Sequence, residues 1–135
     1  MKPVSGVILI IMLGIAVFLV ACSPVLDLSF AKKIIVERYY NGNLLTAVQI
    51  VDASDIQAIV RACTETAKRS SSNMSDHMIK LIFMNDRKQV ALWPAGDRSP
   101  YFKLDDGAVK YFGIDPEASV QLFSTIEKYG IIIGY

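Results

Sequence analysis

An uncharged apolar run from Val4 to Ala21, VSGVILIIMLGIAVFLVA, is the feature that most limits the folds open to this chain. A helix that is apolar all round needs a large protein interior or a bilayer around it, and a chain of 135 residues offers only one modest core. The run therefore stands outside the folded domain, and folding falls to the residues C-terminal to it. Roughly 18 residues at 1.5 Å rise span about 27 Å, enough to cross a bilayer as a helix. Lys2 precedes the run and the next basic residue is Lys32, a placement that suits an N-terminus in the cytoplasm and an exported remainder. The run reads either as a retained transmembrane anchor or as a leader that is removed.

The residues at its end distinguish the two. Leu19-Val20-Ala21-Cys22 puts a branched apolar residue three before a cysteine and a small residue directly before it. This resembles the lipobox of bacterial lipoproteins. The resemblance implies cleavage between Ala21 and Cys22 and a diacylglyceryl thioether on Cys22. Residues 1–21 are then a signal peptide, 22–31 a linker, and 32–135 one domain. Acyl chains hold such a protein because each buried methylene contributes ~0.8 kcal/mol, and two chains hold where one is marginal. The implied location is the extracytoplasmic side of the cell membrane.

Charge and cysteine content narrow the partners. There are 14 Lys plus Arg against 13 Asp plus Glu. Loss of Lys2 would balance them. No concentrated basic stripe of the kind nucleic-acid binders carry is present, so nucleic acid is not an expected partner. With Cys22 lipidated, Cys63 stands alone and no intrachain disulfide forms.

The domain reads as α+β. KKIIVERYY (32–40) and LLTAVQIVD (44–52) are β-branched and aromatic, and Asn41-Gly42 between them favours a tight hairpin, because both residues tolerate positive φ. Ser54-Asp55-Ile56-Gln57 has the form of a capping box, opening a helix to about Lys68 with Ile56, Ile59, Val60, Cys63 and Ala67 on one face. Residues 77–84 and 89–94 form a hairpin across NDRK, and PYFKL and AVKYFG form another across DDG. Asp115 caps a last helix with Pro116 at its first position, and Leu122, Phe123, Ile126 and Tyr129 form its buried stripe up to Gly130. The order ββαββββα describes a single antiparallel sheet with two helices packed on one face. The linker 22–31 is more apolar than a free tether, so part of it packs on the domain or lies at a membrane surface.

Strand alternation sorts the faces. Ile79, Leu81, Phe83, Val90, Leu92, Phe102, Leu104, Val109 and Tyr111 are expected to meet the helices. The opposite face is expected to carry Lys80, Gln89, Trp93, Tyr101, Lys103, Lys110 and Phe112. Of these, Trp93, Tyr101, Lys80, Lys103 and Lys110 form a candidate partner-binding face. Aromatic rings and cations suit sugar rings, an anionic cell-wall polymer or an envelope protein. The plainer reading is the wet face common to antiparallel sheets.

Catalytic candidates are sparse. His77 is the single histidine and shares the core-directed face, which suits a partly buried, hydrogen-bonded ring. Cys63 lies on the buried side of a helix, as a small hydrophobe does. A Cys63–His77 nucleophilic pair has no supporting motif. One His and one spare Cys do not make a zinc set. Asp97, Asp105 and Asp106 lack the ligand spacing of a calcium loop and read as turn residues. No phosphate-cradling glycine loop, nucleophile elbow or HExxH is present, so no cofactor is expected.

The segment opening at Val51-Asp52-Ala53-Ser54-Asp55-Ile56, KLIF at 80–83, QVALW at 89–93 and a short aromatic–Asp-Gly–aromatic hairpin resemble the layout of the small Gram-positive YhfM-like lipoproteins. That resemblance implies a non-enzymatic envelope module and carries no site residues. Two function classes remain open. One is a membrane-anchored extracytoplasmic binding or accessory domain; an inhibitor or immunity-type protein differs from it only in partner. The other is a small envelope hydrolase or thiol enzyme using Cys63 and His77.

Overall fold

The computed structural model describes residues 26–65, 67–69, 78–94, 100–105 and 109–131. Strand β1 (Lys33–Tyr40) turns into β2 (Asn43–Ile50) through Asn41 and Gly42. Their φ values of 48° and 77° are both positive, as the type I′ turn of a two-residue hairpin requires. Helix α1 (Ala53–Thr64) follows, then the two-residue strand β3 (Lys68–Arg69). The strands β4 (Ile79–Met84), β5 (Gln89–Pro94), β6 (Tyr101–Asp105) and β7 (Val109–Gly113) come next, and helix α2 (Pro116–Glu127) ends the order. All strand pairs are antiparallel, in the order β2-β1-β4-β5-β6-β7-β3. The domain is α+β, one antiparallel sheet with two helices.

One residue set from each long strand forms the core. Ile34, Val36, Ile50, Ile79, Leu81, Phe83, Val90, Leu92, Phe102, Leu104 and Phe112 are all buried. Against them pack Ile56, Ile59, Ala62 and Cys63 of α1 and Leu122, Phe123 and Ile126 of α2. The helices therefore cover one sheet face, and Ile131 beyond α2 closes the core.

Local chemistry sets the element ends. Helix α1 starts two residues before the expected Ser54: the carboxylate of Asp52 accepts the Asp55 N–H at 2.9 Å and the Ser54 hydroxyl at 2.7 Å. A charged acceptor at the positive helix end outcompetes a hydroxyl two residues further in. Helix α1 also ends at Thr64 rather than near Lys68, and Lys68 and Arg69 instead pair with Gly113 and Phe112. The second helix begins as expected, with Asp115 accepting from the Glu117 N–H at 3.2 Å and Pro116 in the first turn. In the β4–β5 turn Asn85 Oδ1 accepts from both Arg87 and Lys88 N–H at 2.8 and 2.7 Å, an Asx turn. Leu45 is the extra residue of a bulge opposite the Arg38–Tyr39 step, which breaks the regularity of the exposed edge strand β2.

Two expectations shift. Leu26 and Leu28 of the expected linker are core residues, so the domain already includes Leu26. On β7 the faces are reversed. Phe102 pairs with Phe112 and Leu104 with Lys110, which puts Phe112 in the core and turns Tyr111 outward. The Phe102 and Phe112 rings stack with centroids 5.6 Å apart. A one-residue slip in pairing exchanges every side chain between faces, and this aromatic stack decides the register.

A polar clasp joins the helices at one end. Asp55 of α1 accepts from Lys128 Nζ at 2.7 Å and from the Tyr129 hydroxyl just past α2. The hydrogen bond to Lys128, then that to Tyr129, holds the Asp55 carboxyl below its ordinary 3.8. The clasp therefore supports the fold above about that pH and is lost as pH falls through the lowered value. Hydrogen bonding to Asp55 pushes the Tyr129 phenol up to about 12 from 10.0, so its contribution is full below pH 10 and lost as pH rises through about 12. Replacing Asp55 by Asn is expected to return the Tyr129 phenol towards 10, read by ultraviolet titration of tyrosinate. Unchanged titration would show that the clasp does not form. Phe83→Ala, at a fully buried position between β1 and β5, is expected to lower unfolding stability by about 3–5 kcal/mol in denaturant melts.

Candidate functional site

The face not covered by helices carries an ordered line of polar and aromatic side chains. Antiparallel partners point to the same side, so the pairs Glu37–Lys80, Trp93–Lys103 and Lys103–Tyr111 form a row across the sheet. Lys80 and Trp93 are joined into that row because Leu81 pairs with Leu92 one step away. At about 4.8 Å per strand, the row crosses five strands in about 19 Å.

Trp93 is its centre. Lys80 Nζ lies 5.1 Å and Lys103 Nζ 5.2 Å from the indole centroid, both within cation–π range. Tyr39 adds its ring with centroids 5.8 Å apart and planes tilted by 38°. Its backbone N–H donates to the Met78 carbonyl at 2.7 Å, which carries β1 across to the start of β4. The Tyr39 hydroxyl donates to Glu37 Oε1 at 3.1 Å, and desolvation followed by that bond raises its pKa. Trp93, Tyr39, Lys80 and Lys103 are each half-buried, so side-chain freedom is already restricted in the unbound protein.

Tyr101 extends the face along β6. It lies opposite Gly113 and is 41% exposed. A Cβ on Gly113 would sit 3.2 Å from the Tyr101 ring, so the missing side chain is what lets the ring approach the strand this closely. Four of the five expected face residues, Lys80, Trp93, Tyr101 and Lys103, thus share one surface. Lys110 does not. It pairs with Leu104 and lies half-buried on the helix side, because its register follows Phe112. Phe112 is likewise a core residue and not a surface one. Tyr111 takes their place. Tyr39 and Glu37 were not expected here, although the buried alternation of Ile34 and Val36 places Glu37 and Tyr39 on the opposite side.

A second concavity lies elsewhere. A cleft of about 560 Å³ runs along α1 beside the segment entering β1, bounded by Ala31, Lys32, Val51, Ile56, Val60 and Arg61. Arg61 is already paired with Glu65 at 3.3 Å. The cleft mixes exposed charges with a small apolar floor.

The Cys63 thiol lies away from both surfaces, in the core. Cys63 is 1% exposed, and burial pushes its pKa up to about 12, so it is a protonated core residue at neutral pH. His77, Asp97, Asp106 and Cys22 lie outside the described residues. Asp105 ends β6 on the Trp93 side. Among the described residues no three His, Cys, Asp or Glu side chains gather as a metal site. Also among them, no helix is long and apolar enough to cross a membrane. In comparisons with known proteins the chain matches no family model, no curated protein and no solved structure. Native protein is expected to leave Cys63 unmodified by iodoacetamide at neutral pH and to be alkylated there only after unfolding. Rapid labelling of the folded protein would contradict its placement in the core.

Proposed function

We propose that this chain is a membrane-anchored, extracytoplasmic binding module of the cell envelope, lipidated on Cys22, that holds an anionic wall polymer on the sheet face around Trp93. The observation that carries the reading is the pair Lys80 and Lys103 held on either side of Trp93, with Tyr39 packed beside it. Two ammonium groups drawn to one indole form a prearranged cationic site with an aromatic surface. Phosphate or carboxylate groups of a polymer suit the ammonium groups, and its sugar or polyol carbons suit the Trp93, Tyr101 and Tyr111 rings. Glu37 at the end of the row disfavours an anion directly beside it and biases the ligand towards β5, β6 and β7. A buried, protonated Cys63 leaves the thiol-enzyme alternative without its nucleophile.

The anchor half of the reading rests on Leu19-Val20-Ala21-Cys22 and on the apolar run before it. Mass spectrometry of the protein from its own membranes is expected to find cleavage before Cys22 and a diacylglyceryl mass on it. A retained Met1 with no acyl mass would reject lipidation. For the binding half, Trp93→Ala combined with Lys103→Ala is expected to weaken retention on isolated wall polymer at least tenfold, about 1.4 kcal/mol or more, with unchanged circular dichroism. Equal retention of the double variant would reject this face.

A further inference from the structure

The chain enters the domain at one end of the sheet, and the groups gathered there have a common character. Lys32 N–H donates to the Met84 carbonyl at 3.0 Å, and Asn85 Nδ2 donates to the Phe30 carbonyl at 3.3 Å, so the entering segment lies against the β4–β5 turn. Asp27 is close enough to Lys88 to feel its charge. Leu26 is already buried, which leaves three residues between the core and Cys22. The four residue steps from Cys22 to Leu26 reach about 14 Å at full extension. The apolar run ends at Ala21, so a lipid on Cys22 and a retained helix impose the same limit. By contrast, the eight-residue strand β1 carries the Asn41-Gly42 tip about 25 Å away from this end.

Lys32, Lys33, Arg87 and Lys88 surround the entry point. Lys88 Nζ lies 4.7 Å from the Phe30 ring centroid, an ammonium held over an aromatic at the surface. Val51, at the same end, is 67% exposed. Three carboxylates are nearby, and two have local donors. Asp52 caps α1 and accepts the Ser54 hydroxyl, and Asp27 accepts both the N–H and the hydroxyl of Ser29. Asp86 is exposed in the turn. The end thus presents basic side chains with an exposed aliphatic and an aromatic between them, the composition that favours an anionic lipid interface.

We propose that this end is a bilayer-docking surface, with Lys32, Lys33, Arg87 and Lys88 set against anionic phospholipid headgroups. The sheet then stands on the membrane with the β1–β2 tip pointing away. The inference rests on the proposed membrane anchor but not on the choice between lipid and helix. Standing the sheet on end leaves the Trp93 face at the side, open to the wall.

The test uses the full chain reconstituted into vesicles of phosphatidylcholine alone or mixed with phosphatidylglycerol. A fluorophore is attached at Asp86→Cys or at Asn41→Cys, and quenching by a headgroup nitroxide is measured. Strong quenching at 86, weak quenching at 41, and a contrast that grows with phosphatidylglycerol and shrinks with added salt are expected. The combined Lys32→Glu, Lys33→Glu, Arg87→Glu and Lys88→Glu variant, folded by circular dichroism, is expected to lose that contrast. Equal quenching at both positions, stronger quenching at 41, or indifference to phosphatidylglycerol, with the protein still in the vesicle pellet after a carbonate wash, would overturn the orientation alone. Release of the protein by that wash would overturn the anchor and the orientation with it.

Discussion

The structure depends on cross-strand register. Each long strand has a two-residue period, so its apolar set reaches the helices only if every pairing keeps odd and even positions in step. Ile34 with Phe83, Phe83 with Val90, Leu92 with Leu104 and Phe102 with Phe112 keep that step from β1 to β7. Burial of these side chains under Ile59, Cys63, Phe123 and Ile126 is the driving force. The same pairings then dictate, with no further choice, which polar and aromatic groups share the other face. Trp93, Lys80, Lys103 and Tyr111 meet because their neighbours are core residues.

That dependence divides the molecule by task. One face is spent on stability and is closed by helices whose ends are tied through Asp55, Lys128 and Tyr129. The other face is left uncovered by the helices and is the one proposed to contact a partner. The entering segment and the β4–β5 turn mark a third region, at the end of the sheet, where the basic side chains and the short reach to Cys22 coincide. The proposed anchor, docking end and lateral binding face are mutually compatible, since a sheet standing on its end leaves both broad faces clear of the bilayer.

Much of this was legible in the residues, and the failures have physical causes. Asn41-Gly42 was readable because few pairs accept two positive φ values. Asp115-Pro116 was readable because cap and ring act within one turn. The start of α1 was misplaced because Asp52 and Ser54 both carry capping oxygens, and only the structure shows the hydroxyl donating to the carboxylate. The β7 faces were reversed because Val109, Tyr111 and Phe112 are similarly apolar, and the choice lies in the distant partner Phe102. That single slip moved Lys110 into the expected site and left Tyr111 out. Residues 68–69 form a strand only through pairing with β7, and the apolar character of 22–31 pointed to packing on the domain without showing that Leu26 and Leu28 belong to its core. Of the proposed binding face, Trp93 with its lysines was visible from alternation; alternation in β1 also places Tyr39 on that side, and its packing on Trp93 is set by the pairing of β1 with β4.

The register of β6 against β7 tests the account most directly, since it decides which side chains share the Trp93 face. Paired cysteines in a Cys22→Ser, Cys63→Ala background measure it through disulfide formation under mild oxidation. Lys103→Cys with Tyr111→Cys is predicted to crosslink readily, and Lys103→Cys with Lys110→Cys is predicted not to. Efficient bonding between 103 and 110, with none between 103 and 111, would shift β7 by one residue, put Lys110 in place of Tyr111 on the Trp93 face and take Phe112 out of the core.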